Sequence, residues 1–336
     1  MCENLLLELK KRNHNVLAVS LYGDRTKITD RLLNSEIEVR FLNKKKGLDI
    51  SIFEKLHRII IEFRPDVIHT HLYALKYAAI ARGWSKIPVI HTLHSIAEKE
   101  CSHIDKKINR VLYNYFNVIP VSLSSDIQKS VYSLYGLHYS PVIYNGIDLR
   151  RCQEKDSYCL HDPIKIIHVG RFEDVKNHAL IVQVAKRLRS RSICFELIGE
   201  GSLLDVIKGE VASMGLEDKF CFAGTTENVF PRLTSSDVFV LPSKFEGMPM
   251  TIIEAMGTGL PIIASNVGGV NEMIVNNESG VLIQPTSDDL YEAILRVLND
   301  DSFREKIGRK AFDNSKKFSV ENMALEYEKL YQSACK

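Results

Sequence analysis

The sequence predicts an α/β protein of two doubly wound domains, each a parallel sheet with helices on both faces. Three observations carry this. The chain has 336 residues, more than one hydrophobic core usually organises. Short apolar runs alternate with amphipathic helical patterns along nearly all of it. The alternation falls into two series, separated by a polar segment at 151–163.

In the first series, strand patterns lie at 16–21, 37–42, 66–70, 88–92, 118–121 and 142–144, with helical patterns such as 51–63 and 74–82 between them. In the second, strands read at 165–169, 194–198, 220–223, 238–241, 261–264 and 281–283, with helices at 179–189, 203–214, 251–256 and 290–298. The expected domains are 1–150 and 164–318, both Rossmann-like and facing across a cleft. The last stretch, 319–336, reads as a helix with Met323, Leu325, Tyr327, Leu330 and Tyr331 apolar, and is expected to return to the first domain. The start is unusual. Residues 4–11 already read as a helix with Leu5, Leu6 and Leu9 on one face, whereas a doubly wound domain opens with a strand and a Gly-rich turn. The first domain is therefore expected to lack its first strand.

The hydrophobic fraction of 45% and charged fraction of 26% are those of an ordinary globular protein. Seven cysteines are scattered, and no pair has the spacing of a zinc site or a redox motif, so free thiols in a cytoplasmic setting are expected. No apolar run approaches a membrane span, and with Glu3, Glu8 and Lys10 so near Met1 no signal peptide is expected. Charge is uneven. Residues 1–150 hold 22 Lys and Arg against 15 Asp and Glu, and the remainder holds 22 against 27. A basic first half suits an anionic partner, such as a membrane surface touched peripherally or a phosphate-bearing acceptor, and suits plain solvated lysines equally well. Nothing points to nucleic acid.

The strongest chemical signal runs from Glu246 through Gly247, Met248 and Pro249 to Glu254. It follows a strand, and in parallel α/β sheets ligands bind beyond the carboxyl ends of strands. Pro249 suits a helix start, Gly247 permits close backbone approach, and the helix N–H groups suit a pyrophosphate. Each glutamate can accept hydrogen bonds from a vicinal diol. Taken singly, Glu246 reads more simply as a solvated loop acid and Glu254 as a charge that favours a helix start.

A second signal, Gly170 and Arg171 followed by Lys176 and Asn177, ends the second domain's first strand. Arg171 and Lys176 are placed to meet phosphate oxygens, against the plainer reading of a charged loop with an Asn cap. A third, Gly268-Gly269 followed by Glu272, can form a phosphate-binding nest or simply a turn. No Asp-x-Asp triplet occurs, so the usual carboxylate clamp for a nucleotide-bound metal is missing, and so are a Walker loop and a dinucleotide GxGxxG. Leaving-group charge falls to Arg171, Lys176 and helix dipoles. In the first half, His94 ends a strand and can contact a sugar or pass a proton. His69, His71 and His91 read as plain polar residues of strand ends, and Asn145-Gly146 as a turn.

Together the Glu-x7-Glu block with its trailing Ala-Met-x-x-Gly-x-Pro, the Val-Gly-Arg loop with Lys176 and Asn177, the Gly-Gly-x-x-Glu turn and the Asn-Gly-Ile-Asp turn resemble family-four retaining glycosyltransferases of the GT-B fold. The resemblance implies that Glu246 binds hydroxyls of a donor hexose and Glu254 the ribose. It implies that Arg171 and Lys176 hold the pyrophosphate, that the Gly247–Pro249 backbone lines the sugar site, and that His94 sits opposite the anomeric centre. It implies no metal or other cofactor, a nucleotide diphosphate sugar as donor, and a lipid-linked or glycan acceptor in surface polysaccharide or lipopolysaccharide assembly, at the inner face of the cell membrane. Two other readings stay open: a non-catalytic sugar-nucleotide-binding partner subunit, and a GT-B-like epimerase or phosphorylase.

Overall fold

All strand pairs in the protein are parallel, as expected where each strand returns through a helix. The computed structural model describes residues 1–336. The chain divides into two units, one comprising Met1–Gly146 with Val320–Lys336 and the other Ile147–Ser319.

The first unit runs α1 (Cys2–Lys11), β1 (Leu17–Ser20), α2 (Lys27–Asn34), β2 (Glu38–Phe41), α3 (Ser51–Phe63), β3 (Ile68–His71), α4 (Ala74–Ala81), β4 (Val89–Leu93), α5 (Ala97–Glu100), α6 (His103–Tyr115), β5 (Val118–Ser122) and α7 (Ser125–Tyr135). Its strands form two sheets, β1-β2 and β3-β4-β5. The run at 142–144 does not form the expected strand. Val142 makes one bridge to Ser122, through Ser122 N to Pro141 O at 2.9 Å and Ile143 N to Ser122 O at 3.0 Å. Pro141 has no N–H to extend a ladder, and the Asn145-Gly146 turn follows at once.

The second unit runs β6 (Ile164–Val169), α8 (His178–Arg187), β7 (Ile193–Ile198), α9 (Leu204–Ser213), β8 (Phe220–Gly224), α10 (Phe230–Thr234), β9 (Val238–Leu241), α11 (Met250–Gly257), β10 (Ile262–Ser265), α12 (Val270–Met273), β11 (Val281–Ile283), α13 (Ser287–Asn299) and α14 (Asp301–Ser315). Its single six-stranded sheet has the order β11-β10-β9-β6-β7-β8. Ile166, Phe195, Leu197, Val240 and Ile263 from the strands meet Ile181, Val184, Ile294 and Ile307 from the helices in one core.

The final helix, α15 (Val320–Ala334), packs into the first unit. Tyr327 and Leu330 join Leu5, Leu9, Ile90 and Val121 in its core. Tyr327 is fully buried and its hydroxyl meets Thr92 Oγ1 at 2.8 Å. Arg12 grips Glu328 with both arms of its guanidinium, at 2.8 and 2.6 Å. No helix is long and apolar enough to cross a membrane.

Candidate active site

In the second unit, strands after β6 run outward on one side through β7 and β8, and strands after β9 run outward on the other through β10 and β11. The order therefore reverses between β6 and β9, the kind of point at which parallel α/β sheets bind their ligands. Two of the three sequence signals are the loops that follow these two strands.

The β6 loop is shaped by close backbone approach. Gly170 N donates to Ile198 O at 2.9 Å, and Gly199, at φ 144°, lies so near that a Cβ there would stand 2.1 Å from Gly170 O. Phe172 is fully buried and anchors the loop, leaving Arg171 exposed with no side-chain partner. Asn177 adopts φ 57° and begins α8, but its side chain does not cap that helix. Its Nδ2 instead donates to Pro242 O of the β9 loop at 3.1 Å. Lys244 N donates to Val175 O at 2.9 Å, and Lys176 Nζ reaches Glu246 Oε1 at 2.6 Å. The two loops are thus stitched together by backbone, amide and charge.

The third signal props up the second. Gly268, at φ +53°, lies against Glu246, where a Cβ would stand 1.8 Å from the Glu246 carbonyl oxygen. Gly269 N donates to Gly247 O at 3.0 Å, so that N–H is already occupied and the pair of glycines acts as a support for the Glu246–Gly247 backbone. Met248 is buried, and Pro249 stands at the N-cap of α11, whose first amides have no intrahelical acceptor. Glu254 lies in the second turn of α11, partly buried near Arg151 and Cys152, with no hydrogen bond to its carboxylate. Burial pushes its carboxyl up to about 7, only partly offset by Arg151.

The second unit's buried polar side-chain atoms without a partner belong to five residues: His168, His178, Ser243, Thr251 and Ser265. His168 and Ser265 are in the last two residues of β6 and β10, and the other three start or precede α8 and α11. All sit at the carboxyl edge of the sheet. Sequence reasoning missed Asn177's bridging role and these histidines, whose signal was their position beside the Gly170 loop.

Ten of the eleven candidate residues lie in the second unit, and His94 alone lies in the first. It follows β4, and its ring Nε2 meets His71 Nδ1 at 3.1 Å, one ring donating and the other accepting. Its N–H donates to Glu100 Oε1 at 3.2 Å. Burial lowers His94 to about 4 and His71 well below its ordinary value, so both are neutral near pH 7. His71 therefore positions His94, a role its pairing register carries: β3 and β4 align His71 with Thr92, two residues before His94. His69 and His91 are structural. His69 bridges Tyr331 and Thr92 at 2.7 and 2.8 Å, and His91 meets Thr70 at 2.9 Å.

Residues 1–151 match the family described as Glycosyltransferase Family 4, and residues 153–314 match Glycosyl transferases group 1. A relative from Escherichia coli, UDP-Gal:alpha-D-GlcNAc-diphosphoundecaprenol alpha-1,3-galactosyltransferase, is 27% identical over 75% of this chain and 71% of its own. N-acetyl-alpha-D-glucosaminyl L-malate synthase of Bacillus anthracis is 25% identical over 84% of this chain and 78% of its own. Among solved structures, the Anabaena protein HepE in complex with UDP and glucose superposes with a TM-score of 0.86 at 19% identity, over 99% of this chain and 95% of that one. The chain belongs to the family-four glycosyltransferases of the GT-B fold, enzymes that transfer sugar from nucleotide sugars.

Proposed function

We propose that the protein transfers a hexose, with retention of anomeric configuration, from a nucleotide diphosphate sugar to a hydroxyl of a lipid-linked or glycan acceptor in surface polysaccharide assembly. The observation that carries this is the Lys176–Glu246 pair at the strand-order reversal, with Arg171 unpaired beside it. Cations at that edge suit a pyrophosphate, and a carboxylate next to them suits sugar hydroxyls. The E. coli relative is named for a diphosphoundecaprenol acceptor, which favours the lipid-linked class.

In this reading the bond from anomeric carbon to phosphate oxygen breaks as Arg171 and Lys176 take up the charge left on the pyrophosphate. The acceptor oxygen bonds to the same face of that carbon, and its proton passes to the departing phosphate. Glu246 holds the hexose and steadies developing positive charge, Glu254 holds the ribose, and neutral His94 contacts the sugar. Donor binding proceeds without a divalent metal, so its calorimetric signature is unchanged by a chelator.

The test compares Glu246→Gln with Glu254→Gln. Glu254→Gln weakens binding of UDP itself, by the ~1.5–3 kcal/mol of a charged hydrogen bond. Glu246→Gln lowers turnover far more than UDP affinity, because only interactions stronger in the transition state speed the chemical step. Full turnover in Glu246→Gln, or unchanged UDP affinity in Glu254→Gln, refutes the corresponding role.

A further inference from the structure

The first unit carries an apolar surface that its own fold leaves uncovered. Helix α6 has two apolar faces. Leu112 and Tyr113 are buried against the sheet. A stripe of Ile104, Ile108, Val111 and Tyr115 repeats at helical spacing and faces away from Tyr113, with Ile104 72% and Tyr115 80% exposed and Ile108 half-buried. Beside it, α4 presents Ile80, and the turn after α4 presents Trp84, which is 100% exposed. A groove of about 530 Å³ lies between the two helices, and Lys107 is the only charged residue lining it. The walls are fixed rather than loose. The buried Arg82 donates to Ile87 O at 2.8 Å and to Phe116 O at 2.7 Å, tying the Trp84 turn to the end of α6.

Charge selects what covers this face. Between Leu72 and Asn117 there are seven Lys and Arg against three Asp and Glu. Of those acids, Glu100 is buried and Asp105 is paired with Lys76 at 2.6 Å, so Lys86, Lys106, Lys107 and Arg110 dominate the local field. A second copy of the chain would set these cations against themselves. A bilayer with anionic headgroups supplies both the apolar phase for the stripe and the countercharge for its rim. A lone tryptophan at full exposure also fits the bilayer interface, where its ring is favoured.

We propose that this face docks on the anionic surface of a lipid bilayer, with Trp84 and the Ile104–Tyr115 stripe at the headgroup boundary and Lys86, Lys107 and Arg110 among the phosphates. The choice of a membrane rests on the lipid-linked acceptor proposed above, and the surface itself on the geometry of the first unit. The chain has a single tryptophan, so intrinsic fluorescence reports this site alone.

The full-length protein is titrated with vesicles of phosphatidylcholine alone and of phosphatidylcholine mixed equally with phosphatidylglycerol, and UDP binding is measured in parallel. The expected result is a blue shift of Trp84 emission on the mixed vesicles, weakened by salt and nearly absent on phosphatidylcholine. Lys107→Glu with Arg110→Glu lowers vesicle affinity by at least about tenfold. Ile104→Ser with Val111→Ser lowers it comparably, and both pairs of changes leave UDP binding intact. No shift on anionic vesicles, or charge reversal without effect, overturns the proposal. So does a shift that depends on protein concentration alone, with sedimentation as a dimer. Vesicle binding without UDP binding defeats the transferase reading and leaves the surface standing; the reverse defeats the surface alone.

Discussion

Lys176 and Glu246 form an ion pair of 2.6 Å that spans the point where the strand order of the second unit reverses. Their side chains are only 18% and 9% exposed. Each is therefore largely withdrawn from water, and each is the other's counterion. A pyrophosphate drawn to Lys176 and sugar hydroxyls donating to Glu246 would take over those roles. The pair keeps both side chains in place until then.

Removing one partner leaves the other charge buried and unmatched. Lys176→Met is expected to destabilise the protein by about 3 kcal/mol, and Lys176→Met with Glu246→Gln to recover most of that loss. Sugar transfer stays abolished in all of them. Urea unfolding of Lys176→Met, Glu246→Gln and the double variant measures the coupling, and additive effects would show that the pair is not coupled.

The prop beneath Glu246 makes a separate prediction. Gly268→Ala places a Cβ 1.8 Å from Glu246 O, at a backbone φ of +53° that L side chains rarely adopt. The variant should lose about 1–3 kcal/mol of stability and bind UDP more weakly, because the Glu246 loop must move. Gly136→Ala is the control. Its φ is +71° but a Cβ there meets nothing within 4 Å, so strain appears without a change in UDP affinity.

Most of the second unit was legible because its strands are short apolar runs buried on both faces, as at Val238–Leu241, and its site glycines sit at strand ends. The first unit was harder. Helix α6 was not singled out among the helical patterns of the first series, although Ile104, Ile108, Val111 and Tyr115 recur at helical spacing. The strand pattern at 142–144 was read from Val142 and Ile143 without allowing for Pro141. At the site, residue types were readable but pairings were not. Asn177 reads as a cap, yet its side chain reaches Pro242, a contact 65 residues away that only the sheet order creates.

Six histidines, three of them buried and three half-buried, are expected to make the protein acid-labile. His69 and His91 are lowered to about 3 and His94 and His178 to about 4, all by burial, with His71 and His168 also well below the ordinary value. Below pH 6.5 the unfolded chain takes up protons that the folded one refuses, so stability falls as pH drops towards 4. Each histidine contributes on the order of 1 kcal/mol per pH unit in that window. His178 stacks on Phe172 with ring centroids 4.0 Å apart and has no hydrogen bond to lose, so His178→Phe should flatten the slope. Thermal unfolding from pH 7 to 4 measures it, and an unchanged slope would show that His178 titrates normally.

Glu254 has the opposite linkage. Its folded carboxyl titrates near 7 against 4.5 for the free group, so between those values the folded state holds a proton that the unfolded state has lost. Stability therefore falls as pH rises from about 4.5 to 7, and the cost of the buried charge is fully present above 7. A ribose hydroxyl donating to Glu254 favours its ionised form. UDP binding should then release a proton near pH 7 and tighten as pH rises through that value. The neighbouring Cys152 thiol does not supply that proton: burial pushes it up to about 12 and it stays protonated. Calorimetry of UDP binding in buffers of different ionisation enthalpy counts the protons released. Glu254→Gln should abolish the release, flatten the stability curve between pH 4.5 and 7, and weaken UDP. Proton release that survives the substitution would place the titrating group elsewhere, and Glu254 would lose its role at the ribose.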